Sequence, residues 1–155
     1  SDDSVTIGFT VSGAGPKNHP YTVYINCTAR AGEYSDKREV KVEGGDLSDE
    51  IELGIVINKI PTEDFFLDKG VMGLWGFQDP AMGWIGMGVI YPSSCYLGQK
   101  DTSEEHRAVF KINRNEWFHF YAQGDWLRGH RFVPGAGVKD WKKTLDQEAM
   151  SYNLK

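Results

Sequence analysis

The chain has 155 residues, a formal net charge of −5 and an aromatic content of 13%. That length buries one core and predicts one domain, while mild acidity with scattered basic residues excludes the basic stripe that nucleic acid requires. No apolar run reaches the roughly 18 residues of a membrane-spanning helix, and Cys27 and Cys95 are too few and too far apart to make a metal-binding cysteine cluster.

The opening "SDDSVTIGF" lacks a starting Met and an apolar signal region, and reads as processed, trimmed or cut from a longer protein. Period-two alternation then dominates. "VTIGFTV" sets Val5, Ile7, Phe9 and Val11 on one face, and "GAGPKNHP" breaks the chain as a loop. "YTVYINCTAR" turns Val23, Ile25, Cys27 and Ala29 inward, "KREVKVE" alternates about Arg38, Val40 and Val42, and "EIELGIVIN" aligns Ile51, Leu53, Ile55 and Ile57. The two cysteines fit either a single disulfide or two buried thiols, and the Asn26-Cys27-Thr28 triplet reads as a chance match to a glycosylation site.

"KIPTEDFFLDKG" reads as a connection carrying an acidic cluster. Two short strands, "GLWGF" and "GWIGMGVIY", follow around the turn "QDPAMG". Their glycines alternate with Trp75, Trp84, Met87 and Tyr91, which leaves bare backbone for a ring or ligand to lie against. "EEHRAVFKI" and "EWFHFYAQ" are two further strands. In "VKDWKKTLDQEAMSYN" the period changes, and Val138, Trp141, Leu145, Ala149 and Tyr152 form the apolar stripe of one terminal helix. About eight strands and one C-terminal helix predict an all-β fold, a twisted antiparallel β-sandwich spanning residues 1–155. The early first strand and the many aromatics also fit a chain that buries a face against another chain or segment completing the sandwich.

No phosphate loop, dinucleotide fingerprint, zinc motif or serine elbow is present. The acidic runs "TEDFFLD" and "EGGDLSDE" lack the spacing of a calcium loop, so neither metal nor cofactor is expected. The richest stretch is "NEWFHFYAQGDW" with the following "LRGHRF". Alternation sends Phe118, Phe120 and Ala122 to the core and Trp117, His119 and Tyr121 to the other side. Asp125, Trp126, Arg128, His130 and Arg131 follow, and His106 begins the preceding strand. Rings beside arginines, histidines and acids are what sugar recognition uses: the ring stacks on a pyranose and the polar groups bond hydroxyls or a uronate. Trp84, Trp117, Trp126, Arg131 and His106 are therefore candidate substrate-binding residues. His119, Tyr121, His130 and Arg128 are candidate catalytic residues for β-elimination from a uronate, with Arg neutralising the carboxylate and His or Tyr moving protons.

The order of "TVYINCTAR", "KREVKVEGG", "GVMGLWGFQDPAMGWIGMGVIYP", "WFHFYAQGDW" and "VKDWKKTL" resembles the C-terminal part of an uncharacterised bacterial family found with polysaccharide-degradation systems. Matching residues are Lys37-Arg38, Gly83 to Pro92, Tyr121 to Trp126, and Trp141. That resemblance implies a supersandwich fold like galactose mutarotase and the C-terminal regions of polysaccharide lyases, an oligo- or polysaccharide partner, and a secreted or periplasmic location. Expected functions are a lyase-like part of a polysaccharide-processing enzyme, a non-catalytic carbohydrate-binding module, or a structural sandwich subunit.

Overall fold

The computed structural model describes residues 3–129 and 131–152. It is an antiparallel β-sandwich with one C-terminal helix, as the alternation predicts. In chain order the strands are β1 (Ser4–Ala14), β2 (Tyr21–Arg30), β3 (Ser35–Gly44), β4 (Ile51–Asn58), β5 (Thr62–Asp68), β6 (Val71–Asp79), β7 (Gly83–Ile90), β8 (Tyr96–Gln99), β9 (Glu105–Ile112) and β10 (Phe118–Trp126). The helix α1 covers Val138–Ser151. A seven-stranded sheet runs β1-β2-β3-β10-β7-β6-β5 and a three-stranded sheet runs β4-β9-β8.

Two of these strands escape the sequence reading. β5 occupies the expected acidic connection because Phe65 and Phe66 are adjacent rather than alternating. Phe65 packs into the core between the sheets and Phe66 against the helix. A strand covered on both faces loses its period-two signature. β8 is four residues long and one-sided, too short to register as a pattern.

Met72, Leu74, Val89, Phe110 and Phe118 fill the core between the sheets. The opposite face of β6 and β7 receives α1 through Trp141, Leu145 and Ala149, all fully buried. Here the glycines find their reason, which is different from the expected aromatic binding surface. A Cβ on Gly86 would stand 2.8 Å from the Trp141 ring, and one on Gly88 would stand 2.5 Å from a Leu145 methyl. The glycine-rich hairpin is the seat of the helix. The Trp141 indole donates a hydrogen bond to the Met87 carbonyl at 3.1 Å, so the ring is fixed as well as buried.

One face is not covered. The narrow sheet lies over the middle of the wide one, and the row on β1 stays open: Val5 is 65% exposed, Ile7 56%, Phe9 54% and Val11 49%. Cys27 and Cys95 are both free thiols, which resolves the two alternatives for the pair. The Cys27 sulfur accepts from the Arg38 guanidinium, and burial raises the Cys95 thiol above its usual value, hydrogen bonding at Ser94 opposing it.

Candidate functional site

β10 carries His119, Tyr121 and Trp126 of the residues singled out from sequence, and its extended backbone spreads them out. His119 and Trp126 are seven positions apart, about 24 Å along a strand. Even and odd residues also fall on opposite faces. Phe118 and Phe120 face the core, as expected. Tyr121 lies beneath the end of the helix, its ring stacked on Tyr152 at 3.8 Å and 3°. His119 is exposed opposite Glu39 of β3, and Trp117 is 44% exposed with the Lys41 ammonium 5.3 Å from its ring centre.

The other expected residues occupy separate places. The Trp126 indole donates to the Met82 carbonyl, and Arg128 donates to the Ala81 carbonyl at 3.1 Å while its guanidinium lies 5.8 Å from the Trp126 ring. Both side chains thus clasp the β6–β7 turn. Arg131 pairs with Asp125 at 3.6 Å and with Glu148 of the helix, and lies over Tyr34 at 4.2 Å. Ser35, Gln123 and Glu148 continue that polar cluster, which fastens α1 to β3 and β10. His106 is buried in the other sheet, stacked on Phe65 at 3.7 Å, with Nε2 at 2.7 Å from Glu63 and Nδ1 at 2.8 Å from Asp101. These contacts tie the two sheets together. His130 lies outside the described residues.

The elimination scheme needs an arginine, a base and an acid around one sugar carbon. Among the described members of that set, His119 and Tyr121 share one face of β10, but the Tyr121 ring is covered by Tyr152. Arg128 is held on the β6–β7 turn beyond the far end of the strand, so the arginine does not stand beside His119. Among the described residues there is no group of three or more His, Cys, Asp or Glu side chains able to hold a metal ion.

Trp84 is the expected residue that does open onto a cleft. It is 37% exposed on the helix side of β7, with Phe77 of β6 edge-on at 6.0 Å. Leu127 donates its backbone N–H to the Trp84 carbonyl at 3.0 Å, which holds the strand end against the segment that follows β10. Facing Trp84 is the turn that enters α1. Its shape comes from Gly135, at φ 91°, and from Asp140, whose carboxylate accepts from the Gly137 N–H at 3.0 Å. Between them lies a cavity of about 310 Å³ floored by buried Trp75 and reached by Asp64 of β5. Among the described residues, Asp64 is its one charged lining residue. Sequence reasoning missed Asp64 because it assigned β5 to a solvated loop, and missed Gly135 and Gly137 because they read only as loop glycines. The pairing of Asp64 with Trp75 across β5 and β6 was the signal available, but it needed β5 to be recognised first.

No family model, curated protein or solved structure matches this chain.

Proposed function

We propose that this chain is a carbohydrate-binding β-sandwich whose Trp84 cleft takes one unit of an oligosaccharide. The observation that carries this reading is a partly exposed indole beside a sugar-sized cavity with a carboxylate at hand. The indole supplies the stacking surface for the pyranose C–H face. Asp64 accepts hydrogen bonds from hydroxyls, and the backbone of the Gly135–Gly137 turn offers further polar groups. The Asp64 carboxylate, with no cation among the described residues that line the cleft, disfavours a uronate, so the reading shifts from acidic to neutral sugars. The resemblance to polysaccharide-processing sandwiches supports the same substrate class, and with it a place beside secreted polysaccharide-degrading enzymes.

Isothermal titration with cellohexaose, xylohexaose, mannohexaose and a galacturonate hexamer tests this. At least one neutral oligomer binds, Trp84→Ala weakens it tenfold or more with an unchanged far-ultraviolet spectrum, and the galacturonate oligomer binds more weakly. Unchanged affinity in Trp84→Ala, or binding of the acidic oligomer alone, overturns the assignment.

A second reading is favoured by the open apolar row on β1: the chain is also an assembling subunit, and another polypeptide surface covers that row. Contiguous exposed apolar area of this kind marks interaction sites.

A further inference from the structure

We infer that the uncovered face is closed by a second copy of this chain, in a two-fold dimer that joins β1 of each copy to β4 of the other. This rests on the assembly reading above and names its partner. The wide sheet has seven strands and the narrow one three, and β4 ends the narrow sheet where β1 and β2 extend beyond it. Between the β4 edge and β2 runs an apolar groove of about 370 Å³ lined by Val23, Ile25, Leu53 and Ile55. A second hollow of about 220 Å³ lies against Val5, Ile7 and Phe9.

Both strands that border this face are free edges among the described residues. Soluble proteins guard such edges with charge, proline or a bulge. β1 carries no charged residue or proline in its 11 positions, and its one register shift, between Ser12 and Ala14, lies at its end, past the apolar row. β4 carries only Glu52, which is paired with Lys100 at 2.7 Å. Each edge also supplies what the other needs. β4 requires an uncharged strand with one apolar face beside it, and β1 is such a strand. β1 requires a neighbour whose apolar side chains point the same way, and β4 offers Ile51, Leu53, Ile55 and Ile57.

With a two-fold axis between the layers, β1 of the second copy takes the lane beside β4, above β2. Its own β2 then lies above β1, and the same contact closes both edges in both copies. A foreign pair of strands on β4 would leave the β1 edge open, whereas a second copy satisfies all four edges at once, as an isologous interface does. The overhanging strip measures about 37 Å by about 10 Å at ordinary strand spacings. With the two edge ladders added, the contact approaches the roughly 800 Å² per partner of a stable interface.

Light scattering coupled to size exclusion, checked by native mass spectrometry, tests the proposal. The expected mass is twice 17.4 kDa. The double variant Ile7→Glu, Phe9→Glu runs as a folded monomer, because both side chains are more than half exposed in the single chain and their replacement leaves its core intact. A wild-type monomer overturns the proposal, as does a dimer that persists in the double variant. Binding of anilinonaphthalene sulfonate separates the two ways of failing. A wild-type monomer that binds the dye, with binding lost in the double variant, keeps the face open for a different polypeptide. A monomer that does not bind the dye removes the assembly reading as well.

Discussion

At the scale of single residues, the clearest lesson is His106. From sequence it is a basic side chain at the start of a strand, available for a sugar. In the fold it is a buried tie between Glu63 on the wide sheet and Asp101 beside the narrow one. Nothing within "EEHRAVFKI" announces this, because Glu63 comes from β5 and Asp101, though only five residues away, lies in the loop before β9. Asp101 records the arrangement: burial pushes its carboxyl up, but hydrogen bonds from Gln99, His106 and the Arg107 backbone N–H outweigh that and hold it below its ordinary value. A carboxyl lowered on folding adds stability above its unfolded pKa, and that contribution is lost as pH falls through the folded value. Thermal unfolding followed from about pH 6 down to about pH 2, across the ordinary carboxyl value near 3.9, therefore shows a shallower acid loss in Asp101→Asn than in the wild type. Equal slopes would remove Asp101 from the acid response. His106→Phe keeps a ring against Phe65 but leaves Glu63 with only the Ile60 N–H as a partner among the described residues, and costs about 1.5–3 kcal/mol as the loss of a hydrogen bond to a charged group.

At the scale of elements, the helix was the most legible part of the chain. Trp141, Leu145 and Ala149 recur at helical spacing, and all three are fully buried. What the spacing did not reveal was the receiving surface. The glycines of β6 and β7 were readable as bare backbone under an aromatic ring, but whether that ring belonged to a ligand or to the chain itself depends on tertiary packing. The seat predicts two different penalties. Gly86→Ala drives a methyl into the rigid Trp141 ring and destabilises by about 1–3 kcal/mol, an overpacking cost. Leu145→Ala leaves a void over Gly73 and Gly88 and destabilises by about 2–5 kcal/mol. Urea unfolding of each variant checks both, and a Gly86→Ala protein as stable as wild type would show that α1 is free to shift away from β7. β5 and β8 are hidden from the sequence for different reasons. β5 packs Phe65 and Phe66 on opposite faces and so breaks the alternation, while β8 alternates but is too short for the pattern to register.

At the scale of the whole molecule, burial is uneven, and that unevenness can be measured. β6 and β7 have the intersheet core on one face and α1 on the other, and Val71, Met72, Leu74, Trp75 and Ile90 are at most 1% exposed. β5 covers one flank and β10 the other. To expose their amides the molecule must lose both layers, so they should exchange only through global unfolding, while strands with one open face open at lower cost. Hydrogen–deuterium exchange followed by mass spectrometry is expected to find the slowest amides in β6 and β7. It should also find that Leu145→Ala accelerates both strands together, by the factor that its loss of global stability dictates. The β8 segment, short and at the edge of the narrow sheet, exchanges earlier through local opening and is unchanged in that variant. If Leu145→Ala instead sped exchange in α1 alone, the helix would be an independent appendage rather than the second wall of the core. The Trp84 cleft would then lose the fixed turn that forms one side of it, because that turn is held at the N-terminal end of the same helix.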